Sequence, residues 1–129
     1  MARPKKPKKI AEAEWDLMLG IWDLEPPVSV RDVHNYLYKN GEKAYTTVQT
    51  LMNILVDKGF LTRKKLGMVN FYTPTLSRQK ATDAETHSLV AKLFSGSFGE
   101  LANYLIKSGE LSKDDLAAIK QLIDEKEKS

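Results

Sequence analysis

Thr46, Gln49, Thr50 and Asn53 recur at spacings of three and four residues, which at 100° per residue puts them on one side of a helix, with Thr47 at the flank. All five side chains are uncharged and hydrogen-bonding. Glutamine and asparagine can bond adenine at two points, and threonine offers a hydroxyl to a phosphate or base edge and a methyl to thymine. No Asp or Glu occupies this face before Asp57, so nothing on it repels a phosphate backbone. A merely solvated helix face would carry Glu, Lys and Arg for helix propensity and solubility. Their absence favours contact with a groove of DNA. Shortly beyond, Arg63, Lys64 and Lys65 form a cationic run suited to phosphates, which positions a protein without reading sequence. Alone, such a run is equally a solvated strand edge that discourages pairing. Its place beside the polar helix gives it weight.

The net charge of +3 is unevenly spread. Residues 1–9 carry Arg3, Lys5, Lys6, Lys8 and Lys9 and no acid, so the rest of the chain is slightly acidic. A short basic arm suits phosphate binding because neutralised phosphates release condensed counterions, and Lys8 and Lys9 join the candidate contacts. A solubilising tail is an equally good account of the arm by itself.

Other chemistries find little support. There is no cysteine, which excludes disulfides and thiolate metal sites, and His34 and His87 lack metal-site spacing. No phosphate-cradling glycine loop, zinc-protease pair or nucleophile elbow is present, so neither an enzyme nor a cofactor is expected. With 42% hydrophobic and 29% charged residues the composition is globular. No apolar stretch approaches the roughly 18 residues of a membrane span, and the basic start leads into an amphipathic segment rather than a signal core. A cytoplasmic protein without membrane insertion is expected.

The elements that must hold the polar face follow from periodicity and breakers. Trp15, Met18, Leu19 and Trp22 mark a first helix over about 11–23, widened by Leu17, Ile21 and Leu24 and stopped by Glu25-Pro26-Pro27. Val28 can lie extended. Ser29 and Asp32 resemble a capping box for a second helix with Val30, Val33 and Leu37 on one stripe. Asn40-Gly41 turns the chain into a third helix over 45–58, apolar along Val48, Leu51, Met52 and Leu55. Gly59 ends it, and strands over 60–65 and 69–73, turning at Gly67 and closed by Pro74, complete a hairpin. This order is that of a winged helix-turn-helix.

Beyond it, Ser77 opens a helix to about Phe94, Ser95-Gly96-Ser97 breaks it, a second runs from Phe98 to Ile106, and Ser112 caps a third. Leu89, Leu93 and Phe94, then Phe98, Leu101, Leu105 and Ile106, then Leu116, Ile119, Leu122 and Ile123 are their apolar positions. Three such short helices hold too little apolar surface to form a domain alone. Homodimerisation is favoured over folding back, because regulators of this kind read two half-sites with two copies. The expected fold is mainly α with a small β-wing, divided into a basic arm (1–9), a winged-helix DNA-binding domain (10–75) and a helical dimerisation region (76–129).

With these residues in place the sequence resembles the BlaI/MecI penicillinase repressor family, also grouped with the copper-responsive repressor CopY. The likeness rests on Ala13-Glu14-Trp15, Ala44-Tyr45-Thr46-Thr47-Val48-Gln49-Thr50-Leu51, Asp57-Lys58-Gly59-Phe60-Leu61 and Tyr72-Thr73-Pro74, then on Leu93 to Phe98 and Ser108 to Leu116, and runs from Ile10 to about Glu125. It implies a homodimeric repressor on palindromic operator DNA, with Thr46, Thr47, Gln49, Thr50 and Asn53 in the recognition helix. It also implies, as in antibiotic-responsive members, a sensor-transducer that triggers proteolysis in the tail, for which the Ser97-Phe98 neighbourhood is a candidate. Copper sensing is disfavoured, since the cysteine pairs of CopY are absent. Two other readings stay open: a winged-helix regulator responding to a small ligand, and a winged-helix module that binds protein.

Overall fold

The computed structural model describes residues 9–129. The chain runs through α1 (Glu12–Asp23), α2 (Val30–Leu37), α3 (Tyr45–Asp57), β1 (Leu61–Leu66), β2 (Val69–Pro74), α4 (Arg78–Leu93), α5 (Phe98–Lys107) and α6 (Lys113–Lys128). The described residues fall into two compact units that part between Ala81 and Thr82. The division lies inside the first turn of α4 because Ala81 is buried with the N-terminal core.

In the first unit, Leu17, Met18 and Ile21 of α1, Val33 of α2, Val48, Met52 and Leu55 of α3 and Tyr72 of β2 are wholly enclosed. The inner face of α1 is therefore centred on Leu17, Met18 and Ile21. Trp15, Leu19 and Trp22, which the spacing placed at the centre, are only half-buried at its margins. The tryptophan rings are tilted by 53° with 6.3 Å between centroids, and Trp22 Nε1 donates to the Leu76 carbonyl at 3.2 Å. Large amphipathic rings do better at such a margin, where the indole N–H finds a partner. α1 and α2 meet closely at Gly20, where a Cβ would stand 2.7 Å from Leu37 Cδ1.

Capping follows the local sequence. Ser29 Oγ accepts from Asp32 N and Asp32 Oδ2 from Ser29 N, so the box that opens α2 is closed in both directions. α3 ends in a Schellman motif: Gly59 takes φ +87°, its N–H bonds the Val56 carbonyl, and Phe60 N–H bonds the Leu55 carbonyl. β1 and β2 pair antiparallel with Leu66 opposite Val69, leaving Gly67 and Met68 as a two-residue turn with Gly67 at φ +65°. Val28 adds a single rung, exchanging both backbone hydrogen bonds with Tyr72.

The second unit is capped equally well. Ser97 Oγ accepts from Glu100 N to open α5, and Ser112 with Asp115 forms a reciprocal capping box on α6. Its interior is sparse. Val90 is buried, but neither α5 nor α6 contains a buried residue.

Candidate nucleic-acid interface

The amphipathic period of α3 fixes which side chains face out. Val48, Met52 and Leu55 take the core side, so Thr46, Thr47, Gln49 and Thr50 stand exposed on the other. The Thr50 hydroxyl donates to the Thr46 carbonyl at 2.9 Å, which leaves its lone pairs able to accept. His34 fixes the approach to this helix: Nε2 donates to the Lys43 carbonyl at 2.9 Å, and the ring meets Tyr45 edge-on at 6.0 Å.

Asn53, at the far end of the same face, differs from its neighbours. It is half-buried, and its Oδ1 accepts from Arg63 Nη1 at 2.7 Å and from the Tyr72 hydroxyl at 3.0 Å. The amide expected to face bases is thus a joint between α3 and both wing strands. Arg63 and Tyr72 are themselves opposite each other in the hairpin. Burial pushes the Tyr72 hydroxyl above its ordinary pKa, against the opposing Arg63 charge, so Tyr72 remains a neutral donor.

The strand pleat divides the cationic run. Leu61 points into the core, so Arg63 and Lys65 share the α3 side, whereas Lys64 lies on the outer side with Leu66. There Lys64, Leu66, Phe71, Thr73 and Pro27 border a hollow of about 280 Å³. On the α3 side, a groove of about 410 Å³ opens between the starts of α2 and α3 and the wing tip, edged by Ser29, Arg31, Tyr45, Gln49, Met68 and Asn70. No carboxylate lines it. Arg31, Tyr45, Met68 and Asn70 were not singled out by the sequence reading, because three segments far apart in the chain meet here.

Lys9 is exposed and Lys8 lies outside the described residues, as does most of the basic arm. The arm's last residue is nonetheless tied down. Lys58 Nζ, just past α3, donates to the Lys9 carbonyl at 3.0 Å and pairs with Glu14 at 2.8 Å, while Glu14 Oε1 also accepts from Ala11 N. Glu14 has 5% of its side chain exposed, an acid on the core face of α1 that is tolerable only because it is paired.

In the second unit Leu89, Leu93, Phe98, Leu105, Ile106, Leu116, Leu122 and Ile123 are exposed, and Phe94, Leu101 and Ile119 are half-buried. His87 Nδ1 donates to the Asp83 carbonyl and its ring meets Phe98 at 5.0 Å. Among the described residues no group of His, Cys, Asp and Glu is arranged to hold a metal, and no helix is long and apolar enough to cross a membrane.

A three-helix core whose third helix shows an uncharged polar face, bordered by a two-stranded hairpin, defines a winged helix. Within that class the chain belongs to the penicillinase repressor family, whose model matches residues 10–125. It is 26% identical to the penicillinase repressor of Bacillus licheniformis over 121 residues, 94% of either chain. It is 23% identical to the methicillin resistance regulatory protein MecI of Staphylococcus aureus, over 94% of this chain and 98% of that one. A 16.5 kDa protein encoded in the ptsI 3′ region of Latilactobacillus sakei is 32% identical over 92% of this chain and 80% of its own length. The family is one of transcriptional repressors, not of enzymes. Two of the segments that carry the resemblance meet in one ion pair, since Glu14 lies in the first and Lys58 follows α3 in another.

Proposed function

We propose that the protein is a homodimeric repressor of palindromic operator DNA. α3 enters the major groove with Thr46, Thr47, Gln49 and Thr50 toward the bases, while the wing and Lys9 lie along phosphates, joined by Lys8 from the arm. The observation that carries this reading is the bond from Arg63 to Asn53: it makes a cationic strand the border of the hydrogen-bonding helix face. Helices α5 and α6 and the end of α4 form the dimer surface through their exposed leucines, Phe98 and isoleucines. This assigns residues 10–75 to DNA, 76–129 to dimerisation and 1–9 to auxiliary phosphate contact. Relief of repression is by cleavage in the tail. The Ser97-Phe98 neighbourhood, exposed at the start of α5, is the candidate region, and scission there by a sensor-transducer protease would detach α5 and α6 from the DNA-reading unit.

The test is operator binding at several salt concentrations. Gln49→Ala is expected to lose about 1–3 kcal/mol on operator and to relax base preference, whereas Lys64→Ala weakens all sequences alike and lowers the salt slope. Equal losses for both variants on random DNA would sink the assignment. Sedimentation of Leu105→Asp tests the tail: a monomer with poor operator affinity is expected, and an unchanged dimer removes that residue from the interface.

A further inference from the structure

Lysines and arginines near DNA serve two different ends. A mobile cation neutralises phosphates and carries no sequence information, whereas a guanidinium held in one orientation can present paired N–H groups to the O6 and N7 acceptors of guanine. Which end a residue serves depends on whether something fixes it.

Three observations set Arg63 apart from Lys64 and Lys65. Its Nη1 is bonded at 2.7 Å to Asn53 Oδ1, the short distance of a charge-assisted hydrogen bond. Asn53 is itself half-buried and anchored by the hydroxyl of Tyr72, a fully enclosed side chain whose backbone is bonded to Val28. The anchoring amide also closes the row begun by Thr46, Gln49 and Thr50, so the guanidinium lies at the end of that exposed face while its residue stays exposed. One N–H is spent on Asn53. The guanidinium also lies beside the Tyr72 hydroxyl, and those of its N–H donors that face neither Asn53 nor Tyr72 remain for a ligand, on a side chain that folding already holds at one end.

We infer that Arg63 is a base-reading side chain that recognises one guanine in each operator half-site, with Asn53 and Tyr72 as its positioning residues. This rests on the proposed placement of α3 in the major groove. It replaces the expectation that Arg63 only positions the wing on phosphates and that Asn53 reads a base directly.

The experiment is selection of full-length wild type, Arg63→Lys, Asn53→Ala and the double variant on randomised DNA, with affinities then measured across salt. Arg63→Lys keeps the charge and loses the planar fork. It is expected to lose preference at one guanine per half-site by about 5- to 150-fold, with the salt slope nearly unchanged. Asn53→Ala should lose preference at that same base pair, and the double variant should be no worse than Arg63→Lys alone. Asn53→Asp, which retains an acceptor for Arg63 and Tyr72, should restore the preference if Asn53→Ala has loosened the wing.

The inference is overturned if Arg63→Lys keeps the full base preference and merely binds all DNA more weakly, which marks a phosphate contact. It is overturned equally if the Asn53→Ala loss falls on a different base pair and multiplies with that of Arg63→Lys, which marks a direct reader. Failure of the underlying placement looks different: wild type would then select no sequence at all, and Gln49→Ala would change nothing.

Discussion

The two units of this chain use similar helical sequence patterns to opposite effect. In the first, apolar positions of α1, α2, α3 and β2 converge until Leu17, Met52 and Tyr72 lose all contact with solvent. In the second, α5 and α6 are as clearly amphipathic and as well capped, yet Leu105 is 42% exposed and Leu122 63%. Local signals therefore form helices in both, while only the first encloses a core of its own. A helix that is ordered by its caps but keeps its apolar face in water has its stability tied to whatever covers that face. Under the proposed function, that difference separates a unit that recognises DNA from one that assembles.

The sharpest way to break this comparison is to truncate one leucine in each unit. Leu17→Ala is expected to cost about 2–5 kcal/mol, since the enclosed site cannot collapse around the missing atoms. Leu122→Ala should cost under about 0.5 kcal/mol at protein concentrations where the chain is monomeric. As concentration rises, the Leu122→Ala deficit should grow and the Leu17→Ala deficit should stay constant, because only the former acts through association. Chemical denaturation at two concentrations a hundredfold apart distinguishes these cases. Concentration-independent losses for both would mean that the second unit does not depend on self-association.

A smaller effect sharpens the description of the first unit. Lys58→Met removes the partner of Glu14 and leaves an almost fully buried carboxylate with only the Ala11 N–H to satisfy it. A loss of about 1–3 kcal/mol is expected in thermal denaturation. Replacing both residues, Glu14→Leu with Lys58→Met, should recover part of it, because an apolar pair of similar size avoids the desolvation cost. If the double variant is as unstable as the single, the loss lies in the Lys58 bond to the Lys9 carbonyl rather than in the stranded acid.

These cases show which parts of the molecule a sequence discloses. The polar face of α3, the capping boxes at Ser29 and Ser112, the Gly59 stop and the wing turn at Gly67 are visible in the chain because each depends on neighbours within four or five residues. Asn53 falls among the base readers by its spacing from Gln49, while its partners lie 10 and 19 residues away in the hairpin. The core face of α1 is likewise set by partners distant in the chain. Trp15 and Trp22 outweigh Leu17 and Ile21 in hydrophobic bulk, but the enclosed centre is filled by Leu17, Ile21 and the Tyr72 ring from the hairpin, and the indole of Trp22 finds its acceptor at the margin. Glu14 reads as a surface acid until Lys58, 44 residues on, is brought against it. The groove edged by Arg31, Gln49 and Asn70 has no sequence signature, since it exists only where three elements meet.

The smallest expected effect concerns Tyr38, the C-cap residue of α2, whose hydroxyl is buried and has no hydrogen-bond partner among the described residues. Burial, then the charges of Asp16 and Glu42, push its ionisation above the ordinary 10.0. Because the folded state favours the neutral phenol, its contribution to stability is complete below the ordinary value. It is lost as pH rises through that value toward the raised folded one. Tyr38→Phe removes both an unsatisfied polar atom and this ionisation. Near neutral pH the variant should be within about 1 kcal/mol of wild type and on the stabilised side. Above pH 10 it should lose stability less steeply than wild type, with the residual slope due in part to Tyr72, whose ionisation is also raised. A clear destabilisation at neutral pH would mean that the hydroxyl has a partner in solution, and Tyr38 would then count as one of the polar ties holding α2 in place.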